Sequence, residues 1–423
     1  MPERDELTIV RAQIARQVAH WTKAADQLRN LDDLASPGAW NALERYLGVA
    51  IRSRLTQSVE RLRRQGAALR ARLDAAESQI ELRSVRQQQL AFRSGYLRTE
   101  TVLDFYADAV NTRTSPKVAA TLRACDSLAL RSMSQLLDPL GKSVPAILTY
   151  IDKGLGASIL KTGLRLWDGR TESPAAVIKI VRHALVKAPT SLIHETGHQV
   201  AHITGWNEEL AAALERGLAD SPGGIAALWS AWASEVAADC FAFVNTGYAA
   251  VAGLHDVLAG DDATVFRHVE GDPHPIGYIR ILLGVEMCRR HYGEGPWDEL
   301  AQAWVLQYPL EGAKGEVANL MRLSLPLLPR VVEIALASPM EAFGGRTLAE
   351  IVNPERVSPA TLDKLEQRLG EALYTSSHWV WTEALRLVAI TGLRIATAQE
   401  RKEEIPKHRE DWMLRLGGVL QAA

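Results

Sequence analysis

Apolar side chains recur at alternating spacings of three and four residues in the first hundred positions, a pattern typical of long helices. Within this stretch the repeat is regular enough to form a heptad seam, with one weak position at a glycine. The seam consists of Leu55, Val59, Leu62, Gly66, Leu69, Leu73, Ala76 and Ile80. This pattern predicts a helical hairpin in the N-terminal region.

The pattern changes between residues 148 and 181, where glycines separate short apolar runs. Residues 158–162, 164–167 and 176–181 are expected to form strands, and Asp168-Gly169 has the composition of a hairpin turn. Helical periodicity then returns and continues almost to the end of the chain. The expected fold class is therefore mainly α with a small mixed β-sheet.

The chain has 423 residues, enough for two or three packed units. We expect a helical N-terminal region over 1–145, a core with the small sheet over 146–300 and a helical C-terminal lobe over 301–423. Apolar residues make up 47% of the chain and charged residues 23%, which excludes disorder as the dominant state. The three cysteines, Cys125, Cys240 and Cys288, are far apart in sequence, so a disulfide framework is not expected.

The charge is nearly balanced, with 48 basic and 50 acidic residues and a net charge of −2. Nothing in this total favours nucleic acid or an anionic membrane as a partner. Locally, residues 51–100 contain eleven arginines and five acids. A protein partner bound through residues 41–100 is one interpretation of this excess, and a solvated face of a helical hairpin is the other.

The N-terminal residues 1–7 are polar and lack the apolar core of a signal peptide. The chain also has no run of about 18 apolar residues, so no membrane span is expected. These features predict a soluble cytoplasmic protein. Export by a route without a cleaved signal stays open.

The chemistry is concentrated in His194-Glu195-Thr196-Gly197-His198, an H-E-x-x-H sequence. Residues four apart lie roughly one helical turn from each other, so the two histidines share a face and can bind one Zn²⁺. Glu195 is then close enough to accept a proton from a water activated by the metal. His202 continues the series, but about 12 Å along the axis it is too far from His194 to share the ion.

A zinc site needs a third protein ligand, and Glu235 is the best candidate. Glu235 and Asp239 stand four residues apart in an otherwise apolar, Ala-rich segment. Two carboxylates on one face of such a helix are costly unless they are paired or bound to metal. We therefore expect Glu235 to close the site and Asp239 to accept the outer N–H of a ligating histidine.

Further along the chain, His274 lies in a proline-flanked turn and Arg280 follows six residues later. His274 can donate a hydrogen bond to the oxyanion of a tetrahedral intermediate. Arg280 can hold either a substrate carbonyl or the carboxylate of Asp239. Helix capping for His274 and a surface position for Arg280 are the alternatives.

The order H-E-x-x-H, E-x-x-x-D and H-P-x-x-x-x-R resembles that of the gluzincin metallopeptidases, especially the neprilysin-like enzymes. The resemblance covers roughly residues 150–290. It implies a zincin-like α+β core with one Zn²⁺ per chain, held by His194, His198 and Glu235. It also implies Glu195 as general base, Asp239 as an acid supporting the ligands, His274 as transition-state donor and Arg280 as a substrate-positioning residue.

The expected function is therefore zinc-dependent hydrolysis of peptide bonds in a peptide or protein substrate. One alternative is a latent or non-catalytic zincin that acts as an interaction or cargo protein, docked through its basic N-terminal helices. A zinc hydrolase of a non-peptide substrate is the other, because the same ligands serve both reactions.

Overall fold

The structure, a computed structural model, describes residues 3–152, 157–160, 175–181, 187–397 and 404–422. The strands are β1 (Ile147–Asp152), β2 (Ser158–Leu160) and β3 (Ala176–Val181). The first helices are α1 (Glu3–Gln27), α2 (Pro37–Leu47), α3 (Ile51–Ala75), α4 (Gln79–Asn111) and α5 (Pro116–Leu137). The later helices are α6 (Thr190–Thr204), α7 (Trp206–Gly217), α8 (Ile225–Ala231), α9 (Ala233–Thr246), α10 (Tyr248–Leu258), α11 (Asp262–Val265), α12 (Gly277–Tyr292), α13 (Pro296–Gln307), α14 (Gly315–Ser324), α15 (Leu328–Ala337), α16 (Leu348–Ile351), α17 (Pro359–Leu369), α18 (Ala372–Thr375), α19 (Ser377–Thr382), α20 (Ala384–Thr397) and α21 (Glu404–Ala422).

Helices dominate this fold and the three strands form one small mixed sheet, which confirms the expected fold class. The chain divides into two compact units. The first comprises Met1–Thr114 and Leu160–Val177, and the second comprises Ser115–Ile159 and Ile178–Ala423.

The first unit is built on α1, α3 and α4, which pack against one another. The predicted heptad seam is buried from Leu55 to Leu73, and Ala76 is buried as well. Ile80 is 79% exposed, so the expectation that the seam continues to this residue is wrong. The reason is that α3 ends at Ala75, and Ser78 and Glu81 form a capping box that begins α4 in a new direction.

The weak seam position, Gly66, faces side chains of both α1 and α4. A Cβ atom at this glycine would lie 3.0 Å from Thr22 Cγ2 and 3.1 Å from Phe92 Cζ. The phenyl ring of Phe92 therefore occupies the space that a larger seam residue would fill.

The sheet has the order β1-β3-β2, so β3 is central and β2 is an edge strand. The expected strands at 158–162 and 176–181 are found as β2 and β3, while 164–167 and the Asp168-Gly169 turn lie outside the described residues. β1 was not predicted. It packs on α5, where the carboxylate of Asp126 accepts hydrogen bonds from the backbone N–H and the hydroxyl of Thr149 at 2.7 Å.

In the second unit, α6 packs along α9, and α5 and α10 also contact α6. The close approach of α6 and α9 requires a residue without a side chain at Gly197. A Cβ atom there would lie 2.9 Å from Ala238 Cα and 3.1 Å from Phe241 Cβ. Gly197 therefore sets the distance between the two helices.

All three cysteines are buried and free. A search of the described residues finds no helix that is both long and apolar enough to cross a membrane.

We predict that Gly197→Ala lowers the free energy of unfolding by about 1–3 kcal/mol, the usual cost of overpacking a core. The added methyl group must push α6 away from Ala238, and this outweighs the gain in helix propensity of about 1 kcal/mol. Urea unfolding followed by tryptophan fluorescence measures the change. Gly418→Ala in α21 is the control, because its methyl group meets nothing within 4 Å and should leave stability unchanged or raised. Equal stability of Gly197→Ala and the wild type would contradict the packing argument.

Candidate metal centre

The helix that carries the H-E-x-x-H sequence begins and ends where its local sequence requires. α6 starts at Thr190, directly after Pro189, and ends at Thr204 before Gly205, whose φ of 77° is the left-handed conformation that glycine accepts most easily. Within it, His194 and His198 lie on one face with their ring centroids 4.8 Å apart in an edge-to-face arrangement.

α9 brings the third ligand candidate, Glu235, against this face. Its Oε2 lies 3.3 Å from His194 Nε2, and its Oε1 lies 3.2 Å from His198 Nε2. The three side chains each present a ligand atom within 4.8 Å of the other two. Ligand atoms at about 2.0–2.1 Å from a tetrahedral ion stand roughly 3.3 Å apart, so the spacing of these groups suits one Zn²⁺.

The Nδ1 atoms of both histidines, which are the nitrogens turned away from Glu235, each lie close to a polar side chain. His194 Nδ1 lies 2.9 Å from Asp239 Oδ1, and His198 Nδ1 lies 3.2 Å from the hydroxyl oxygen of Ser234. In the tautomer that carries its proton on Nδ1, beside the carboxylate of Asp239, His194 has a lone pair on Nε2 that faces the carboxylate of Glu235. Arg280 Nη2 lies 3.4 Å from His194 Nε2 and 2.9 Å from Glu235 Oε2. A proton or a metal ion between the imidazole nitrogens and the carboxylate of Glu235 would balance the remaining charge, so the residues fit a metal ion.

The charge state of the centre supports the same conclusion. Burial would lower the pKa of His194, but hydrogen bonds to Asp239 and Glu235 outweigh it and raise the pKa to about 9. Burial would raise the pKa of Glu235, but the two histidines and Arg280 hold it well below its usual range. The carboxylates therefore place an excess of negative charge at this centre. In the absence of a metal, a proton on His194 balances it.

Arg280, from the first turn of α12, fixes both carboxylates of α9. Its Nε and Nη2 atoms lie 2.5 and 2.8 Å from the two carboxylate oxygens of Asp239, and Nη2 lies 2.9 Å from Glu235 Oε2. Only 6% of Arg280 is exposed. Of the two roles considered from the sequence, the structure places Arg280 on the carboxylate of Asp239.

Glu195 is positioned differently from the other acids. It is 8% exposed and lines a cavity beside the histidines. Within the described part of the chain its carboxylate has no hydrogen-bond or salt-bridge partner, and burial raises its pKa. A carboxylate with a raised pKa and no partner is suited to accept and release a proton.

His274 lies at the open side of the centre and is 56% exposed in its side chain. Its Nε2 is 3.5 Å from Glu235 Oε1, and its Nδ1 is 2.6 Å from Asp272 Oδ1. Asp272 was not identified from the sequence as a site residue, although it stands only two positions before His274. It orients the imidazole so that Nε2 points toward the centre.

The cavity beside the centre has a volume of about 250 Å³ and an apolar wall. This wall comes mainly from α10 and α12, with Val251, Leu254, Leu258 and Met287 among its residues. None of these wall residues was predicted from the sequence to line the site. The only signal was the apolar sequence of α10, which resembles that of any core helix.

His202 is exposed near the end of α6 and lies outside this cluster. Among the described residues, His194, His198 and Glu235 form the only group with the spacing of metal ligands.

We predict that Arg280→Met lowers the free energy of unfolding by about 3–5 kcal/mol, because it removes the buried cation that pairs with both Asp239 and Glu235. The measurement is urea unfolding in the presence of a chelator. Arg290→Met, on the same helix, removes only a half-exposed salt bridge to Glu333 and should cost less than about 1 kcal/mol. Similar losses in the two variants would refute the role given to the buried pair.

The chain was compared with models of protein families, with curated proteins and with solved structures, and none of them matches it.

Proposed function

We propose that this protein is a zinc-dependent hydrolase of peptide bonds. The observation that carries the proposal is the convergence of His194, His198 and Glu235 beside the buried carboxylate of Glu195. Two imidazoles and one carboxylate, supplied by two helices, are a ligand set used by catalytic zinc sites, in which a fourth position stays open for water or substrate.

The ligands favour zinc over the other common divalent ions. Mg²⁺ and Ca²⁺ prefer sites made of oxygen atoms only, whereas two imidazole nitrogens with one carboxylate suit Zn²⁺. A zinc ion held here would supply a Lewis acid that polarises a substrate carbonyl and lowers the pKa of water. The Asp239 and Ser234 contacts would keep each imidazole in the tautomer that offers Nε2 to the ion.

Three residues of the chain would handle protons and charge in the reaction. Glu195 would take a proton from the attacking water and deliver it to the leaving amine. His274, in its doubly protonated form, would donate from Nδ1 to Asp272 and from Nε2 to the oxyanion. Arg280 would act as a positioning residue, because it holds the carboxylates of Asp239 and Glu235 in place.

The surroundings of the centre support a peptide as the substrate. Ala157, which lines the cavity, directly precedes the edge strand β2. An edge strand offers unpaired backbone groups to an extended peptide. The apolar wall of the cavity would then receive an apolar side chain of that peptide, such as that of leucine or phenylalanine.

The resemblance to gluzincins agrees with this proposal in the order of its motifs. The alternative of a zinc hydrolase with a non-peptide substrate uses the same ligands and the same base. The choice of peptide rests on the edge strand and the apolar cavity, so a substrate assay separates the two reactions.

The experiment that tests the proposed function compares the wild type with Glu195→Gln on a mixture of peptides that contain leucine or phenylalanine. We expect the wild type to cleave peptides and the variant to lose about 100- to 10,000-fold in kcat/KM, the usual contribution of a general base. The zinc content should be equal in both, because Glu195 is not a ligand. Glu208→Gln, an exposed residue of α7, is the matched control and should keep full activity.

Peptide cleavage that persists in Glu195→Gln would contradict the assignment of the base. No cleavage by zinc-loaded wild type would contradict the peptidase and favour the latent or non-peptide alternatives.

A further inference from the structure

A groove of about 660 Å³ runs along the first unit between α3 and α4. Its floor is formed by the edges of Leu69 and Phe92, two residues that are otherwise part of the buried core of the unit. Ala68 and Gly95 line it as well, so its walls are low. We call this feature the α3–α4 groove.

Two arginines mark the two ends of the groove. Arg72 donates a hydrogen bond to the side-chain oxygen of Gln88 across the helix pair at 2.7 Å, which places Arg72 at the level of Gln88 on α4. Arg98 lies ten residues further along α4, or about 15 Å at the helical rise per residue. Both arginines are exposed, and neither pairs with a carboxylate among the residues that the structure describes.

None of the five acids over 51–100 lines the groove: Asp74 and Glu77 are exposed outside its lining, and the other three are engaged elsewhere. Glu60 binds Arg63, Glu81 closes the capping box that begins α4, and Glu100 accepts a hydrogen bond from Tyr96. The lining therefore has arginines at its two ends and the partly accessible edges of Leu69 and Phe92 between them, and Gln65, Gln88 and Ser94 complete it.

We propose that the α3–α4 groove binds an acidic amphipathic helix of a partner protein. The apolar floor receives leucine-like side chains, and two carboxylates of the partner pair with Arg72 and Arg98. A separation of about 15 Å corresponds to ten or eleven residues of a helix, or three turns, so both carboxylates lie on one face. A second copy of this chain does not fit, because it would bring a second basic surface against the first.

The probe is a synthetic, Ala-rich helical peptide labelled with fluorescein. It carries two glutamates eleven positions apart and two leucines between them on the same face. A matched peptide has lysine in place of each glutamate. Fluorescence anisotropy with the full chain measures both. We expect the acidic peptide to bind, with an affinity that falls as salt rises, and the lysine peptide not to bind.

The location of the site is tested with two double variants of equal charge. Arg72→Glu with Arg98→Glu should weaken binding of the acidic peptide roughly tenfold, because two exposed ion pairs become repulsive. Arg64→Glu with Arg86→Glu changes two exposed arginines that do not line the groove, and it should change binding less than about twofold. Equal losses in both double variants would overturn the groove and leave only a general charge effect.

A variant without a charge change completes the test. Ala91 lines the groove and is exposed, so Ala91→Trp should fill the groove and weaken peptide binding while the far-UV circular dichroism stays unchanged. Binding that persists in Ala91→Trp would overturn the proposal. Tighter binding of a single-stranded RNA of twelve nucleotides than of the acidic peptide would also overturn it, in favour of nucleic acid. None of these outcomes depends on the metal centre, so the result stands apart from the proposed hydrolase activity.

Discussion

The contact between α6 and α9 at Gly197 is the constraint on which the candidate centre depends. The two histidines belong to α6 and the third ligand residue, Glu235, to α9, so the distance between the helices decides whether the three groups meet. The absence of a side chain at Gly197 lets the backbone of Ala238 approach within 2.9 Å of the position that a Cβ atom would occupy. Glu235 and Asp239 then reach the histidines from the facing turns of α9. The absence of a side chain at Gly197 therefore allows the candidate ligands on α6 and α9 to meet.

The close packing of α9 on α6 buries the carboxylates of Glu235 and Asp239, and the fold compensates for their charge with a buried arginine. Two carboxylates in an apolar interior are costly unless they are paired. Arg280 supplies one positive charge to Asp239 and Glu235. The second negative charge must be balanced between Glu235 and the two imidazoles. In the absence of a metal, a proton on His194 balances this charge, and the pKa of His194 is therefore raised to about 9. In our account a zinc ion balances this charge in place of the proton, and Glu195 is free to accept and release protons.

The sequence could place His194 and His198 on one face, and Glu235 and Asp239 on another, because four residues along a helix bring two side chains together whatever the rest of the chain does. The choice of Glu235 as third ligand rested instead on the cost of two carboxylates in an apolar helix. Features that depend on contacts between distant segments could not be predicted. The apolar wall that includes Leu254 belongs to a helix whose sequence is typical of any core, and β1 is a short apolar run without alternation. The role of Asp272 became visible only when His274 was placed beside Glu235. The wrong expectation at Ile80 had a signal in the sequence, since Ser78 and Glu81 form the pattern of a capping box.

The most direct test of the central claim is the zinc content per chain, measured by elemental mass spectrometry on the wild type and on Glu235→Ala purified without added zinc. The account predicts about one zinc ion per chain in the wild type and a marked loss in the variant, because two histidines alone hold zinc weakly. Glu208→Ala, which changes an exposed acid of α7, should keep the wild-type content. A wild-type chain that stays free of zinc even after zinc is offered, or equal content in the wild type and Glu235→Ala, would contradict the account.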